Sequence, residues 1–174
     1  MMLTRRRLLK FGASASLLAL APVGLGTAWA QKAPDFGAPA SLVIHTSAGP
    51  QRLQVEIADT PAKRQYGLMG REQLDKNAGM LFVFDGEQSA HNGFWMFQTL
   101  IALDIAFIDA DGRIVAIETM PPCPSTSPRE CPAYLPGAAY HTALEVNAGY
   151  FAERGIELGD CVAAPGMAGS CAPS

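Results

Sequence analysis

The strongest constraint on the fold is a series of short apolar runs separated by residues that form turns. The clearest turn signal is Asp109-Ala110-Asp111-Gly112, between two apolar runs, which predicts a hairpin. Strands are predicted at residues 42–46, 53–57, 79–84, 94–97, 103–108, 113–120, 140–146 and 157–162. This pattern predicts a single, mostly β domain, either β-barrel-like or a compact sandwich.

Two short helices are predicted beside the strands. Thr60-Pro61 places a capping hydroxyl before a proline at the first helical position, and the helix should run to about Leu68. A second helix is predicted over 148–154, closed by Gly155.

The first thirty residues are typical of a secretory signal. Residues 1–10 are basic, residues 11–28 are mostly small or apolar, and Ala28-Trp29-Ala30 predicts cleavage after Ala30. Residues 4–10 fit the twin-arginine pattern. An uncleaved anchor is the rival interpretation, but Pro22 and nearby glycines interrupt the apolar run. We therefore expect a periplasmic or secreted bacterial protein without a stable membrane anchor after cleavage.

The remaining chain divides into a linker at 31–40, a β domain at 41–163 and a tail at 164–174. The formal net charge is −3. Nine bases and sixteen acids follow residue 30, so that part of the chain carries −7. Such a charge gives no general attraction for nucleic acid or anionic membranes, which argues against nucleic-acid partners.

The four cysteines all lie after the predicted cleavage site. An even number in an exported chain predicts disulfides, with three possible pairings. Proximity favours Cys123–Cys131, which would close a proline-dense loop, and Cys161–Cys171. No C-x-x-C is present and the spacing fits neither zinc nor thioredoxin patterns, so structural disulfides are favoured over a redox pair or metal thiolates. No metal or other cofactor is predicted.

Five separated blocks occur in order along the chain. They are Gly67-Leu68-Met69-Gly70-Arg71, Gly79-Met80-Leu81-Phe82-Val83-Phe84, Phe94-Trp95-Met96 with Thr99, residues 103–109 and Leu144-Glu145-Val146-Asn147-Ala148-Gly149. Together, over about residues 42–162, they closely resemble the domain of unknown function 192 family, also listed as uncharacterised protein family 0127. The resemblance implies a small, mostly β, barrel-like domain, commonly exported, and no established activity. The family usually has a basic residue and then Asn where this chain has Phe97 and Gln98. An anion site that uses the basic residue would be in doubt here.

The segment around Trp95 is the first candidate site. On a strand, Phe94 and Met96 would share one face and Trp95 and Phe97 the other. Trp95 could line a pocket and stack on a flat or sugar-like ligand, or simply fill the core. Thr99 follows, and His91 precedes in a polar loop, where it could act as a base or ligand or simply be solvated.

Asp104 is the second candidate, because it is a charge within an apolar strand. A buried carboxylate needs hydrogen bonds or a charged partner. Backbone N–H groups, Arg71 or Arg113 could supply them, and a structural role is favoured over a catalytic one.

The third candidate is the predicted face that Glu145, Asn147 and His141 share, which could bind a metal or polarise a substrate, or could be solvated. Capping of the second helix is the favoured role for Asn147.

The sequence therefore favours a non-catalytic, exported domain that binds a small ligand, a glycan or an envelope protein around Trp95, Thr99 and Asp104. The competing hypothesis is a small periplasmic hydrolase or lyase. It would use His91 or His141 as base, with Asp104 or Glu145 as acid or orienting group. A third alternative is a structural module of the envelope.

Overall fold

Strands provide most of the regular structure in the computed structural model, which describes residues 32–167. The strands are β1 (Ala40–Thr46), β2 (Gly49–Ala58), β3 (Ala78–Gln88), β4 (Phe94–Trp95), β5 (Leu103–Ile108), β6 (Ile114–Met120), β7 (Ala133–Tyr134), β8 (Tyr140–Asn147) and β9 (Cys161–Ala163). The helices are α1 (Pro61–Tyr66) and α2 (Tyr150–Glu153), with a 3-10 turn at Pro128–Glu130.

Seven strands form one sheet in the order β6-β5-β8-β3-β2-β1-β9, and β4 pairs with β7 separately. All pairs are antiparallel except β2 with β3. The sheet curls so that its two edges meet at one end, where Ile114 N–H donates to the Asp160 carbonyl at 2.9 Å. Described residues from Ala33 onward form one unit. The predicted mostly β, barrel-like single domain with short helices is therefore confirmed.

The sheet is buried on both faces. One face packs inside the curl and against Tyr150 and Phe151 of α2. The other face carries Met80, Phe82, Ile105 and other apolar residues, and is covered by segments that include Leu68 and Met96. We call these the inner and outer faces. Because all six residues of β5 are buried, that strand belongs to both cores at once.

The predicted helices exist but are shorter than expected. Thr60 caps α1, since its Oγ1 accepts from Lys63 N–H at 3.3 Å, as predicted. The helix ends at Tyr66 rather than Leu68 because Gly67 takes a φ of +50°. Similarly, Gly149 has a φ of +84°, so α2 starts at Tyr150 rather than at residue 148.

Most predicted strands are present, and the Asp109 hairpin is confirmed. Asp109 Oδ1 accepts from the backbone N–H groups of Asp111 at 2.9 Å and Arg113 at 2.8 Å. Two strands are shorter than predicted. The 94–97 strand pairs only over Phe94–Trp95, and the 157–162 strand is reduced to Cys161–Ala163.

The predicted Cys123–Cys131 disulfide is present, with Cα atoms 5.8 Å apart. The second predicted pairing includes Cys171, which lies outside the described residues and stays a prediction. The predicted signal at 1–30 and most of the tail also lie outside them. Within residues 32–167, no helix is long and apolar enough to cross a membrane.

Gln98 has an unusual backbone conformation. Its φ is +55°, and it is the one non-glycine residue with positive φ in the described chain. The left-handed region costs most residues about 1–2 kcal/mol, and Asn tolerates it better. Its carbonyl accepts from Gly70 N–H at 2.9 Å, which links this turn to the segment after α1.

Gln98→Asn should stabilise the protein by about 0.5–1 kcal/mol, because it relieves the left-handed strain. Gln98→Val should destabilise it, since a β-branched side chain fits this region poorly. Urea unfolding would measure both, with Gln73→Asn in an exposed loop as control. Equal midpoints for the wild type and all three variants would show that Gln98 is not strained.

Candidate functional site

A buried carboxyl group lies near the centre of the sheet. Glu145 of β8 is paired with Met80 on β3 and with Ile105 on β5. The residue is 4% exposed, and its carboxyl group makes no hydrogen bond or ion pair to any described residue. Burial raises the pKa of Glu145 to about 8, because the carboxylate would lose its hydration. The group is therefore mostly protonated at neutral pH.

Glu145 lines a cavity of about 30 Å³ on the outer face. The other walls come from residues 64–69, where α1 ends, and from aromatic side chains that include Phe82 and Phe94. Trp95, Phe97 and Thr99 complete the lining. Since about 10–15 Å³ suffices for one water, this cavity has room for about two water-sized groups.

Trp95 and Phe97 form an aromatic wall of the cavity. Their ring centroids are 5.4 Å apart and their planes are tilted by 34°. Trp95 remains 42% exposed, whereas Met96 is buried and Phe94 packs edge-to-face on Phe82 at 4.9 Å. The two sides predicted for this segment are therefore observed, although its strand is only two residues long. Trp95 is available to a ligand from solvent.

The disulfide loop holds this wall in place. Thr99 is buried, and its carbonyl accepts from Cys123 N–H at 3.1 Å. On the other side of the disulfide loop, β7 pairs with β4, so that Ala133 lies opposite Trp95. The ends of the loop therefore fix both ends of the 95–99 segment.

Arg64 is the cationic residue in the cavity lining, but it does not pair with Glu145. Its guanidinium donates to the carbonyl oxygens of Asp59 and Val83, both at 2.8 Å. It also lies 5.1 Å from the centroid of the Phe84 ring. Because these contacts hold the guanidinium elsewhere, the carboxyl group in the cavity has no charged partner among the residues that the structure describes.

Asp104 lies away from this cavity, which corrects the predicted pocket around Trp95, Thr99 and Asp104. It is paired with Val146 on β8, so both face the inner side while the adjacent Glu145 faces the outer side. Thr119 Oγ1 donates to its carboxylate at 2.8 Å. Neither Arg71 nor Arg113, the two arginines that the sequence offered as possible partners, pairs with Asp104.

The two arginines proposed as partners bind other groups. Arg71 pairs with Glu56 at 2.6 Å, and Arg113 donates to the Gly159 carbonyl at 3.1 Å. His91 is exposed and does not line the cavity. Of the predicted pocket residues, the structure therefore brings together Trp95, Thr99 and Glu145, and places Arg71, His91 and Asp104 elsewhere.

The third predicted cluster is also separated. His141 and Glu145 are four positions apart, which is about 13 Å along β8. No histidine in the described chain is hydrogen-bonded to Glu145 or Asp104. Asn147 does not cap α2, whose first cap residue is Gly149. Its amide instead donates to the carbonyls of Leu74 and Asp75, both at 3.1 Å.

Residues 64–69 and Phe82 form a wall of the cavity that is not among the predicted site residues. Gly67 is the residue of the sequence that could have indicated this wall, because its positive φ ends α1 and turns the chain over Phe82. Within residues 32–167, no cluster of three or more histidine, cysteine or acidic side chains could hold a metal ion.

Comparisons with known proteins agree with this fold. The family model for DUF192, described as "Uncharacterized ACR", matches residues 43–164. A candidate transcription regulator from Sinorhizobium meliloti is 31% identical, with a TM-score of 0.63, over 75% of this chain and 96% of that one. A Novosphingobium aromaticivorans protein of unknown function is 28% identical, with a TM-score of 0.63, over 73% and 93%. No curated protein matches the chain.

Glu145→Gln should remove a pH-dependent loss of stability. The pKa of Glu145 is about 8 when folded against an ordinary value of 4.5. The unfolded chain therefore binds fewer protons between these values, and stability falls as pH rises through this window. Within this window, the free energy of unfolding of Glu145→Gln should rise relative to that of the wild type by up to about 1.4 kcal/mol per pH unit.

Urea unfolding at pH 4.5, 6.5 and 8.5 would measure this difference, with the exposed Glu87→Gln as a charge-matched control. Wild type and Glu145→Gln should have similar free energies of unfolding at pH 4.5, and these should diverge at the two higher pH values. Parallel stability curves for wild type and Glu145→Gln would contradict the buried, unpartnered carboxyl group.

Proposed function

Because this chain belongs to the DUF192 family, whose description gives no activity, its function must be argued from its site; we propose that it is an exported domain that binds a small ligand at the Glu145 cavity. The observation that carries this proposal is a buried carboxyl group without a partner among residues 32–167, in a cavity with an exposed aromatic wall. An unpartnered buried polar group costs stability, and a ligand can recover that cost by hydrogen bonding to it.

The cavity and its wall would contact different parts of the ligand. The cavity is large enough for one small polar group, which would reach Glu145 and the region of Thr99. The rest of the ligand would lie against Trp95 and Phe97, whose rings offer apolar and stacking contact. This division favours a small molecule, or one terminal group of a larger glycan or peptide, over a flat protein interface.

Export is supported by two features. The order of basic, apolar and small residues before Gln31 is that of a cleaved secretory signal. The Cys123–Cys131 disulfide is typical of proteins in oxidising compartments. Together they favour action in the bacterial cell envelope.

No specific observation favours the hydrolase or lyase alternative, and none favours DNA binding. A general base must reach its partner group, and no such histidine contact accompanies Glu145 or Asp104 in the described chain. The Sinorhizobium relative is described as a candidate regulator of transcription. DNA binding, however, depends strongly on basic residues that displace counterions, and the chain after residue 30 carries −7.

Trp95→Ala should weaken ligand binding about tenfold, because stacking and apolar contact with the indole would be lost. A thermal-shift screen of periplasmic metabolites and glycans would find ligands, and titration would compare the variant with wild type. Leu158→Ala is the control, since Leu158 is 63% exposed and does not line the cavity. Ligands that bind the wild type and Trp95→Ala with equal affinity would refute the site.

Replacing Arg5 and Arg6 together by Lys should block export, because the twin-arginine pathway recognises that pair. Cell fractionation would measure the chain that begins at Gln31 in the periplasm, with Arg7→Lys as control. Undiminished periplasmic protein in the double variant would exclude the twin-arginine route.

A further inference from the structure

The chemistry of Glu145 narrows the class of ligand, provided that the proposed site is correct. A neutral carboxyl group can exchange hydrogen bonds with a hydroxyl group, as an amide could. A carboxylate differs because it can compensate a positive charge, and charge-assisted hydrogen bonds are about twice as strong as neutral ones. A buried acid with no partner in the described part of the chain is therefore best matched by a cation from outside.

The volume of the cavity limits the size of that cation. About 30 Å³ accommodates a group of one or two heavy atoms, such as an ammonium and its first methylene. A planar guanidinium or a quaternary ammonium is larger. The volume therefore favours a primary ammonium group at the tip of the ligand over either of these.

The aromatic wall suits the stem of such a ligand. Trp95 and Phe97 present ring surface beside the cavity, and Phe82 and Phe94 line it more deeply. Aromatic faces attract cations and also pack against methylene groups. An unbranched alkyl chain could lie along the wall while its ammonium enters.

We propose that the Glu145 cavity binds a primary ammonium group carried on an unbranched alkyl chain, as in an alkylamine or a lysine-type side chain. Binding exchanges a proton for the ligand's charge. The alkylammonium stays protonated, the carboxyl O–H of Glu145 releases its proton to solvent, and the resulting carboxylate accepts hydrogen bonds from the ammonium. Charge and protons balance, because one cation enters and one proton leaves.

The charged groups around Glu145 are compatible with this exchange. On the side of α1, Arg64 is held by carbonyl oxygens, and Tyr66 is the other titratable residue in the lining. The paired residues on β3 and β5 are Met80 and Ile105, which carry no charge. Beyond β5, Glu118 of β6 lies opposite Ile105 on the same face, about 10 Å from Glu145, and its negative sign favours a cation. Residues 94–99 contribute no ionisable side chain.

Calorimetric titration of the full chain with 1-aminopentane tests the proposal, and 1-pentanol serves as the neutral probe of the same shape. Measurement in two buffers of different ionisation heat gives the number of protons released. About one proton should leave per amine bound at pH 6.5, and almost none at pH 9.3, where Glu145 is already ionised and the amine is still charged. Between pH 6 and 8, affinity for the amine should rise by up to about tenfold per pH unit.

Two comparisons sharpen the test. Glu145→Gln should weaken amine binding at least tenfold relative to wild type at pH 8.5, while the Glu87→Gln control should bind normally. The trimethylammonium analogue of the amine should bind at least tenfold more weakly than the amine itself, because its head group exceeds the cavity. Proton release is measured on the wild-type protein, so the test does not depend on any variant folding.

Equal affinity for 1-aminopentane and 1-pentanol, or amine binding without proton release at pH 6.5, would overturn the ammonium proposal. If polyols or glycans bind in a Trp95-dependent manner and the amine does not, this inference fails while the proposed ligand site stands. If no probe in either experiment binds, both fail together.

Discussion

Strand β8 is hydrogen-bonded to a neighbour on each side and buried on both faces, and the rest of the structure depends on its register. That register directs Glu145 to the outer face and Val146 to the inner one. A slip of one residue would exchange them and put the carboxyl group into the inner core. Gly79 permits this pairing, because a β-carbon there would lie 2.6 Å from the Glu145 carbonyl oxygen.

The cavity wall, by contrast, is irregular chain held by distant contacts. Gln98 has a left-handed conformation, and its carbonyl accepts a hydrogen bond from Gly70 N–H. The carbonyl of Thr99 accepts a hydrogen bond from Cys123 N–H. A short antiparallel pair, β4 with β7, fixes Trp95 at the other end. The segment therefore keeps its shape without being a full strand, and a half-exposed indole can be positioned there without the support of the main sheet.

The mostly β fold could be predicted from local signals, because turns and alternating burial depend on residues near in sequence. The Asp109 hairpin and the Thr60 cap are such cases. The site could be predicted only in part. The sequence indicates Trp95, Thr99 and Glu145 as candidates, but their distance from Asp104 depends on the pairing between strands. The predicted capping role of Asn147 is wrong, because its amide donates to carbonyl groups more than seventy residues away. The nearby helix start suggests a simpler explanation that the structure does not bear out.

Asp104 and Glu145 show how neighbouring strands can give two buried carboxyl groups different roles. Asp104 accepts a hydrogen bond from Thr119 on the adjacent strand, so a group of the protein itself compensates its burial. Glu145 is equally buried but faces Met80, Ile105 and a small cavity. The unpartnered carboxyl opposes stability as pH rises, and replacing it by an apolar residue would remove that cost. Because a single substitution could remove this cost in stability, the buried carboxyl group is better explained by a requirement of ligand binding than by a requirement of folding.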